Sequence, residues 1–214
     1  MATAISDLLI QFQDEAGQAG AIVQIASAEN EVISLVLKLV REHSVRHAVM
    51  SASPVADTCR LKESLMEAGV EVINTALRAQ LPVTGDARAV TDKLKSKYLE
   101  ADLGICEAGS AIAETGTLII TGNEGDERLV TILPRIHITL LNVGNVVNTM
   151  EDAVTRLKSS CPAISGRRFP RYVTYLTGRN TTGDIPGALT ARAQGPEEEY
   201  IVILSKDTAG RSAS

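Results

Sequence analysis

The stretch from Ala101 to Asn142 reads A-D-L-G-I-C-E-A-G-S-A-I-A-E-T-G-T-L-I-I-T-G-N-E-G-D-E-R-L-V-T-I-L-P-R-I-H-I-T-L-L-N, and it holds most of the chemically interesting residues of the chain. Apolar and β-branched residues dominate three segments of it, which predicts buried strands at Leu103–Cys106, Gly116–Thr121 and Ile136–Asn142. An acidic residue, Glu114, lies between the first two of these strands, in a run of small and apolar residues. This stretch is therefore the first candidate region for a functional site.

Outside this stretch, amphipathic helices alternate with further short strands. The pattern predicts helices near 5–18, 32–40, 55–68, 86–98 and 150–157, and strands at 47–51, 70–73, 172–176 and 200–204. Strands separated by helices suit parallel pairing, because parallel neighbours need long crossover connections. The sequence therefore predicts a three-layer α/β/α fold with a mostly parallel sheet. We expect the strands at 103–106, 116–121, 136–141, 172–176 and 200–204 to belong to that one sheet.

The size and composition of the chain favour a single domain. Its 214 residues, 44% of them hydrophobic, are enough to bury a full core. We expect residues 1–205 to form one α/β domain, with an N-terminal helix within 1–20, and residues 206–214 to fray as a small polar tail. A homo-oligomer is compatible with this composition.

Charge and cysteine usage exclude several classes of function. A formal charge of -5 without any run of Lys and Arg argues against nucleic acid as the main partner. No apolar stretch reaches the length of about 20 residues that a membrane helix needs, and the first 20 residues do not resemble a signal peptide. The three cysteines are far apart, which predicts neither a disulfide framework nor a metal motif and fits a cytoplasmic location.

Glu114 is the first candidate catalytic residue. It precedes Thr115, Gly116 and Thr117, which are candidate ligand-binding residues, at the start of an apolar strand. We therefore expect partial desolvation to raise the pKa of Glu114, as a general acid or base needs. The alternative is a buried ion pair with Arg128 or Arg135 that only fixes the loop. Both arginines are also candidates to bind a carboxylate or phosphate, with surface ion pairs as the alternative. His137 is a candidate ligand-binding residue, with a core or inter-subunit histidine as the alternative. The sequence therefore leaves both a functional and a structural role open for Glu114.

A glycine-rich turn follows the strand at 172–176 and is the second candidate site. It reads T-G-R-N-T-T-G-D-I-P-G from Thr177 to Gly187. Glycines beside Ser or Thr at the carboxyl end of a strand allow backbone N–H groups to approach an anion. Asp184 is a candidate catalytic carboxylate, with helix capping as the alternative. The candidate ligand-binding residues of the turn are Gly178, Arg179, Asn180, Thr181 and Thr182.

An ordered set of motifs resembles a known family. The motifs are A-D-L-G-I-C-E-A-G-S-A-I-A-E-T-G-T-L at 101–118, R-L-V-T-I-L-P-R-I-H-I at 128–138, D-A-V-T-R-L at 152–157, T-G-R-N-T-T-G-D-I at 177–185 and Q-G-P at 194–196. Together they resemble the LUD-domain family, with the lactate utilisation protein C subfamily nearest. Two positions depart from the family pattern: Gly178-Arg179-Asn180 stands where Gly-Pro-Ser is common, and Gln194 stands where a histidine is common.

The resemblance implies both a fold and a function. It implies an α/β/α fold related to the NagB, RpiA and CoA-transferase group. It also implies a non-redox component of a bacterial L-lactate oxidation system, with iron-sulfur clusters in partner proteins and none in this chain. A small anionic or carboxylate ligand would then be bound here.

Two alternatives stay open at the level of sequence. One is a stand-alone enzyme that uses Glu114 on a CoA ester or sugar phosphate, since the segment around Glu114 is similar to the one carrying the acyl-accepting glutamate of CoA transferases. The other is a regulatory module that binds a small carboxylate. The sequence does not decide whether the chain is an enzyme by itself.

Overall fold

Six parallel strands form the central sheet of the computed structural model, which describes residues 2–75, 96–122, 126–160, 170–178 and 195–205. The strands are β1 (Ile22–Ala26), β2 (His47–Met50), β3 (Glu71–Asn74), β4 (Leu103–Glu107), β7 (Ile136–Asn142) and β10 (Glu198–Leu204). They lie in the order β1-β10-β7-β4-β2-β3, and every neighbouring pair is parallel. The prediction of a mostly parallel sheet flanked by helices is confirmed.

A second, smaller sheet packs beside the first. It contains β5 (Ser110–Ile112), β6 (Thr117–Gly122), β8 (Val146–Val147) and β9 (Tyr172–Leu176), in the order β8-β5-β6-β9. The placement of all five predicted strands in one sheet is therefore wrong, because β6 and β9 belong here. The physical reason is the short connection of residues 113–116, which joins β5 to β6 as an antiparallel pair. A connection of this length cannot make a parallel crossover.

The helices lie on both faces of the central sheet. They span Ala2–Gln18, Glu29–Glu42, Pro54–Thr58, Leu61–Glu67, Asp126–Ile132 and Met150–Ser160, and residues 96–100 are also helical. In Glu29–Glu42 the buried stripe is Val32, Val36, Leu39 and Val40, which recur at helical spacing. Among the described residues, none of the helices combines the length and the apolar character of a membrane crossing.

One helix that the sequence predicts is two separate helices in the structure. Ser53 caps the first at its N-terminus by accepting a hydrogen bond from the Ala56 N–H, and Pro54 fits the first turn because it has no N–H to satisfy. The break falls at Arg60, whose φ of 51° is left-handed and ends the first helix before Leu61 starts the second. The single helix predicted over 55–68 is therefore corrected to Pro54–Thr58 and Leu61–Glu67.

Two apolar clusters cover the faces of the central sheet. One packs the helices between Glu29 and Glu67 against residues such as Ile138 and Leu140 of β7. The other joins the opposite face to the N-terminal helix, through Phe12 and Ala16, and to the second sheet, through Leu118. The alternation of side chains along β7 produces this division, since successive residues face opposite sides of a strand. The prediction of a helix over 86–98 falls mostly outside the described residues, and that of a frayed tail over 206–214 falls wholly outside them.

Candidate functional site

A cluster of buried polar side chains lies in the middle of the central sheet. Cys106 of β4, His137 and Thr139 of β7 and Glu199 of β10 share one face, because the parallel register aligns Cys106 with Thr139 and His137 with Glu199. His137 Nδ1 lies 2.7 Å from Glu199 Oε2, and His137 Nε2 lies 3.2 Å from Cys106 Sγ. The Thr139 hydroxyl donates to Glu199 Oε1 at 3.0 Å. We call these four residues the core polar cluster.

The core polar cluster contains an ion pair between His137 and Glu199, and apolar residues surround it. Burial by itself would lower the pKa of His137, but the Glu199 carboxylate and the Cys106 thiol outweigh that effect and raise the pKa to about 10. The imidazolium form therefore persists at neutral pH and donates to Glu199. His137 is 0% exposed, so its partners are protein groups of the core polar cluster. The structure places this candidate residue in the core, where it holds β7 to β4 and β10.

Glu114 lies at the surface. Its side chain is exposed, so the expectation that its carboxylate is partly desolvated is wrong. Glu114 Oε1 accepts a hydrogen bond from the Met150 N–H at 3.0 Å, which satisfies one free donor at the start of the helix Met150–Ser160. Thr149 and Asp152 complete that helix start by exchanging hydrogen bonds. The role supported by these contacts is capping by a carboxylate beside the positive end of a helix.

The glycines of the two candidate motifs hold the N-terminal helix. Gly116 has a φ of +62°, and a Cβ added there would lie 2.4 Å from the Ala16 nitrogen. Gly178 has a φ of +64°, and its added Cβ would lie 2.0 Å from the Ala19 carbonyl oxygen. Both positions need glycine for its conformation and for the close approach of the backbone at Ala16, in the N-terminal helix, and at Ala19, just after it. These contacts give Gly116 and Gly178 a packing role.

Three hydroxyl groups connect the two motifs. The Thr115 hydroxyl donates to Thr117 Oγ1 at 2.8 Å, and Thr117 Oγ1 lies 2.8 Å from Thr177 Oγ1. The segment after Glu114 and the start of the glycine-rich turn are therefore neighbours. The candidate residues Arg179, Asn180, Thr181, Thr182 and Asp184, and also Gln194, lie outside the described residues.

The two candidate arginines have surroundings that differ from those of Glu114. Arg128 is exposed on the helix Asp126–Ile132. Arg135 is half-buried just before β7, and its Nη2 donates to the His43 carbonyl oxygen at 2.9 Å. Within the described part of the chain, neither arginine forms an ion pair with Glu114, so the alternative of a buried pair at that position is not met.

The topology of the central sheet marks a different location for a ligand. After β2 the chain moves outward to β3, whereas after β4 it moves in the opposite direction to β7 and β10. The crevice between the carboxyl ends of β2 and β4 is therefore a topological switch point, where open α/β sheets bind ligands. Glu107 ends β4 in this crevice, and Ser51 and Ser53 follow β2.

Glu107 is held at the switch point by two hydrogen bonds to the same oxygen. The Ser53 hydroxyl donates to Glu107 Oε2 at 2.6 Å, and the Val55 N–H donates to it at 2.9 Å. Burial raises the pKa of Glu107 above its usual value, an effect that the bonds from Ser53 and Val55 oppose and the nearby charge of Asp57 reinforces. Glu107 is therefore a partly desolvated carboxyl group that is anchored at the edge of the sheet.

The surroundings of Glu107 include a buried thiol. Burial raises the pKa of Cys59 to about 11, and the charges of Glu29 and Glu107 add to that rise. Cys59 is therefore a neutral thiol that packs in the core, as free cysteines commonly do. We call the group Ser51, Ser53, Glu107 and the Val55 N–H the switch-point site.

The sequence feature that could have indicated Glu107 is its position at the end of a strand, and not a motif around it. An acidic residue directly at the end of a buried strand lies on the edge where α/β sheets bind ligands. That signal becomes specific only when the order of the strands is known. In the described residues, no group of three or more His, Cys, Asp or Glu side chains has the arrangement of a metal site.

The open α/β architecture and its switch-point site define the structural class of this protein. Comparison with known proteins defines its family. The model of the LUD domain matches residues 9–204, and the chain belongs to the LUD domain family.

The relatives carry names from lactate metabolism and electron transport. "Lactate utilization protein B" of Shouchella clausii is 27% identical over 95% of this chain and 49% of its own length. "Uncharacterized electron transport protein YkgF" of Escherichia coli K12 is 25% identical over 95% of this chain and 48% of its own length. The chain thus spans about half the length of these relatives. Their names give no support to the expected protein C subfamily.

A solved structure shares the fold. A DUF162 family protein from Deinococcus radiodurans superposes with a TM-score of 0.63 and 20% sequence identity, over 94% of this chain and 98% of that one. At this level of identity the likeness supports the architecture alone.

Proposed function

We propose that this chain is the non-redox component of a bacterial L-lactate utilisation system and acts with iron-sulfur partner proteins. The observation that carries the proposal is its similarity, over 95% of its length, to "Lactate utilization protein B" of Shouchella clausii. The relative in Escherichia coli is named an electron transport protein, which supports a role for this chain in a system that transfers electrons.

The cysteines of the chain support the division between redox and non-redox components. An iron-sulfur cluster with four thiolate ligands needs more cysteines than the three present in this sequence. Cys59 and Cys106 are both buried, and they belong to apolar clusters on opposite faces of the central sheet. We therefore assign cluster chemistry to partners and ligand binding to this chain.

The ligand that we propose is a small carboxylate of the lactate and pyruvate type. Two regions are available for it, namely the switch-point site and the neighbourhood of Thr117 and Thr177, which leads into the candidate turn at 179–184. The switch-point site is favoured, because it lies at the position that open α/β sheets use for binding.

Growth on L-lactate tests the pathway. A strain without the gene is expected to grow normally on glucose and to fail on L-lactate as the sole carbon source, and the gene on a plasmid should restore growth. Normal growth of the deletion strain on L-lactate, in a background without a second lactate dehydrogenase, would overturn the proposal.

Purification tests the partners. The chain is expected to contain no iron when isolated alone, and to copurify with iron-containing proteins from cells grown on L-lactate under anaerobic handling. Iron content and visible absorbance measure both outcomes. Stoichiometric iron in the isolated chain would contradict the assignment of the redox centres to partners.

A further inference from the structure

We propose that the outer edge of β1 is an interaction surface that binds the same edge of a second copy of this chain. The two β1 strands pair in antiparallel orientation about a two-fold axis at Gln24, and the central sheet continues from one chain into the other. Main-chain hydrogen bonds hold the two copies together. The geometry of Ile22–Ala26 carries this proposal, whichever ligand the chain binds.

One side of β1 has no strand beside it among the described residues, because β1 is the first strand of the central sheet and pairs with β10. The Ser205 N–H donates to the Ala26 carbonyl oxygen at 2.8 Å, so the backbone groups of Ala26 point toward β10. Backbone groups alternate in direction along a strand, so those of Val23 and Ile25 point to the outer edge. These outward groups have no hydrogen-bond partner in the described part of the chain. Unpaired groups of this kind are a template for another strand.

The open part of this edge is short and symmetric about Gln24. Before it, the Ala21 N–H donates to the Ala16 carbonyl oxygen at 3.0 Å. After it, the Ser27 N–H donates to Glu31 Oε2 at 2.6 Å. Ala21 and Ser27 are equally far from Gln24 in sequence, so the free backbone groups between them are arranged symmetrically. A two-fold interface needs a surface that is self-complementary in this way.

Antiparallel pairing about Gln24 satisfies all the free groups of the edge. Val23 of one chain lies opposite Ile25 of the other, and the two residues exchange both N–H···O bonds, as a hydrogen-bonded pair does. The symmetry repeats this pair on the other side of the axis. Gln24 lies opposite its own copy as a non-hydrogen-bonded pair, with Cα atoms about 4.5 Å apart. The two sheets thereby become one.

The side chains of β1 also suit pairing with their own copy. Ile22 and Ile25 are 45% and 40% exposed in the single chain, so they leave apolar surface that a second strand can cover. The opposition of Val23 and Ile25 makes a cross-strand pair of β-branched side chains, which is favourable. Gln24 Oε1 is buried and has no hydrogen-bond partner among the described residues. A turn of the amide toward the axis allows the two Gln24 side chains to bond to each other.

The absence of charge favours a second copy over a different protein. Residues 16–28 contain no Asp, Glu, Lys, Arg or His, so no like charges face each other across the axis. An uncharged edge also provides no means to select a partner of opposite charge. The strand at the other edge of the central sheet differs, because Glu71 of β3 forms an ion pair with Lys97 at 2.8 Å. Charged side chains commonly protect edge strands, and β1 lacks this protection.

The flanking helices add to the interface. The N-terminal helix and the helix Glu29–Glu42 both contact β1, and they lie on opposite faces of the sheet. The two-fold axis is perpendicular to the continuous sheet, so each helix approaches its own copy. A strand contact of five residues is small beside a standard interface of about 1,200–2,000 Å². We therefore expect a dissociation constant on the order of 10 µM.

Sedimentation equilibrium of the full chain tests the association. The mass of the wild type should approach twice that of one chain at about 100 µM and fall toward that of one chain at about 1 µM. Ile25→Lys places a cation about 7–8 Å from its own copy and protects the edge, so the dissociation constant should rise at least about tenfold. Met66→Lys is the matched control, since Met66 is also an exposed apolar residue, on the helix Leu61–Glu67. It should keep the wild-type dissociation constant.

Engineered cysteines test the register. Gln24→Cys places two thiols on the axis, where the Cα separation of about 4.5 Å lies within the range of disulfides. Oxidation at about 100 µM should therefore link this variant into a covalent dimer on non-reducing electrophoresis. Ile22→Cys is the control, because its two copies lie about 13 Å apart along the paired strands and should not link. The wild type gives the background from the native cysteines.

Three results would overturn the proposal. The first is a wild type that keeps the mass of one chain at about 100 µM, even if it binds a different protein through this edge. The second is a dimer whose dissociation constant Ile25→Lys leaves unchanged. The third is linkage of Ile22→Cys as readily as Gln24→Cys, or linkage of neither. If Ile25→Lys does not fold, the two cysteine variants decide.

Discussion

The hydroxyl oxygens of Thr117 and Thr177 lie 2.8 Å apart, although 60 residues separate them in the chain. Thr117 starts β6 and Thr177 follows the end of β9, and the register pairs Leu118 with Leu176. The antiparallel pairing of β6 with β9 therefore brings together the two motifs from which a ligand site was predicted. Their meeting point contains hydroxyl groups and packed glycines, while the carboxylate of Glu114 lies on the start of a helix.

The Thr117–Thr177 hydrogen bond can be measured with a double-mutant cycle. Thr117→Val and Thr177→Val should each lower the free energy of unfolding by about 0.5–1.5 kcal/mol, the range for one hydrogen bond. The double variant should lose less than the sum of the two, because both changes remove the same bond. Urea denaturation measures the three values. Losses that add to within about 0.3 kcal/mol would show that the two hydroxyls do not interact.

Gly116 should not tolerate a side chain. Gly116→Ala introduces a Cβ at a φ of +62° that would lie 2.4 Å from the Ala16 nitrogen. Left-handed strain and overpacking together are expected to reduce the free energy of unfolding by roughly 2–5 kcal/mol. The measurement is urea denaturation followed by circular dichroism.

Gly17 provides the matched control for this change. Gly17 lies in the N-terminal helix that Gly116 contacts, and a Cβ added at Gly17 meets nothing within 4 Å. Gly17→Ala should therefore leave stability unchanged or increase it by roughly 0.5–1 kcal/mol, as alanine does inside helices. Equal effects of the two substitutions would contradict the proposed contact between Gly116 and the helix.

The sequence predicted the parallel core of the fold because its signals are local. Strands such as β7 are continuous runs of apolar and β-branched residues, and the helices between them show apolar stripes at helical spacing. The second sheet was missed because β5 has three residues and β8 has two, too few for a periodic pattern. Without β5, nothing in the sequence showed that β6 is the second strand of a hairpin and not another parallel strand.

The site was harder to predict because its partners are distant in the chain. Cys106 has no neighbouring histidine in sequence, yet the register of β4 with β7 places His137 Nε2 at 3.2 Å from its sulfur. Glu199 reaches His137 from 62 residues away. Such pairs depend on strand order, which single-sequence patterns do not specify. The same dependence hid Glu107, since a switch point exists only once neighbouring strands are known.

Glu114→Gln separates helix capping from catalysis. Glutamine can still accept a hydrogen bond from the Met150 N–H, so only the charge near the helix start is lost. We expect a decrease of roughly 0.3–1 kcal/mol in the free energy of unfolding and retained growth on L-lactate. Glu114→Ala, which also removes the acceptor, should lose more stability. A loss of activity on the order of 10² with unchanged stability would instead establish Glu114 as the catalytic residue predicted from sequence.

The buried pair of His137 and Glu199 should make stability depend on pH. Its contribution is fully present below a pH of about 6.5, the ordinary pKa of histidine, and it is lost as the pH rises through the folded-state pKa of about 10. Between these values the unfolded chain releases a proton that the folded chain retains. The free energy of unfolding of the wild type should therefore decrease from about pH 6.5 to about pH 10 when measured by urea denaturation.

Glu199→Gln tests the cause of this dependence. Without the Glu199 carboxylate, burial favours neutral His137, so the variant should lose most of the pH dependence over the same range. At about pH 6.5 it should be less stable than the wild type by roughly 3–5 kcal/mol, since one partner of a buried ion pair is removed. His47→Gln is the control, because the ion pairs of His47 with Glu71 and Asp102 are only partly buried and should leave the slope unchanged. A wild-type slope in Glu199→Gln would mean that other groups carry the pH dependence.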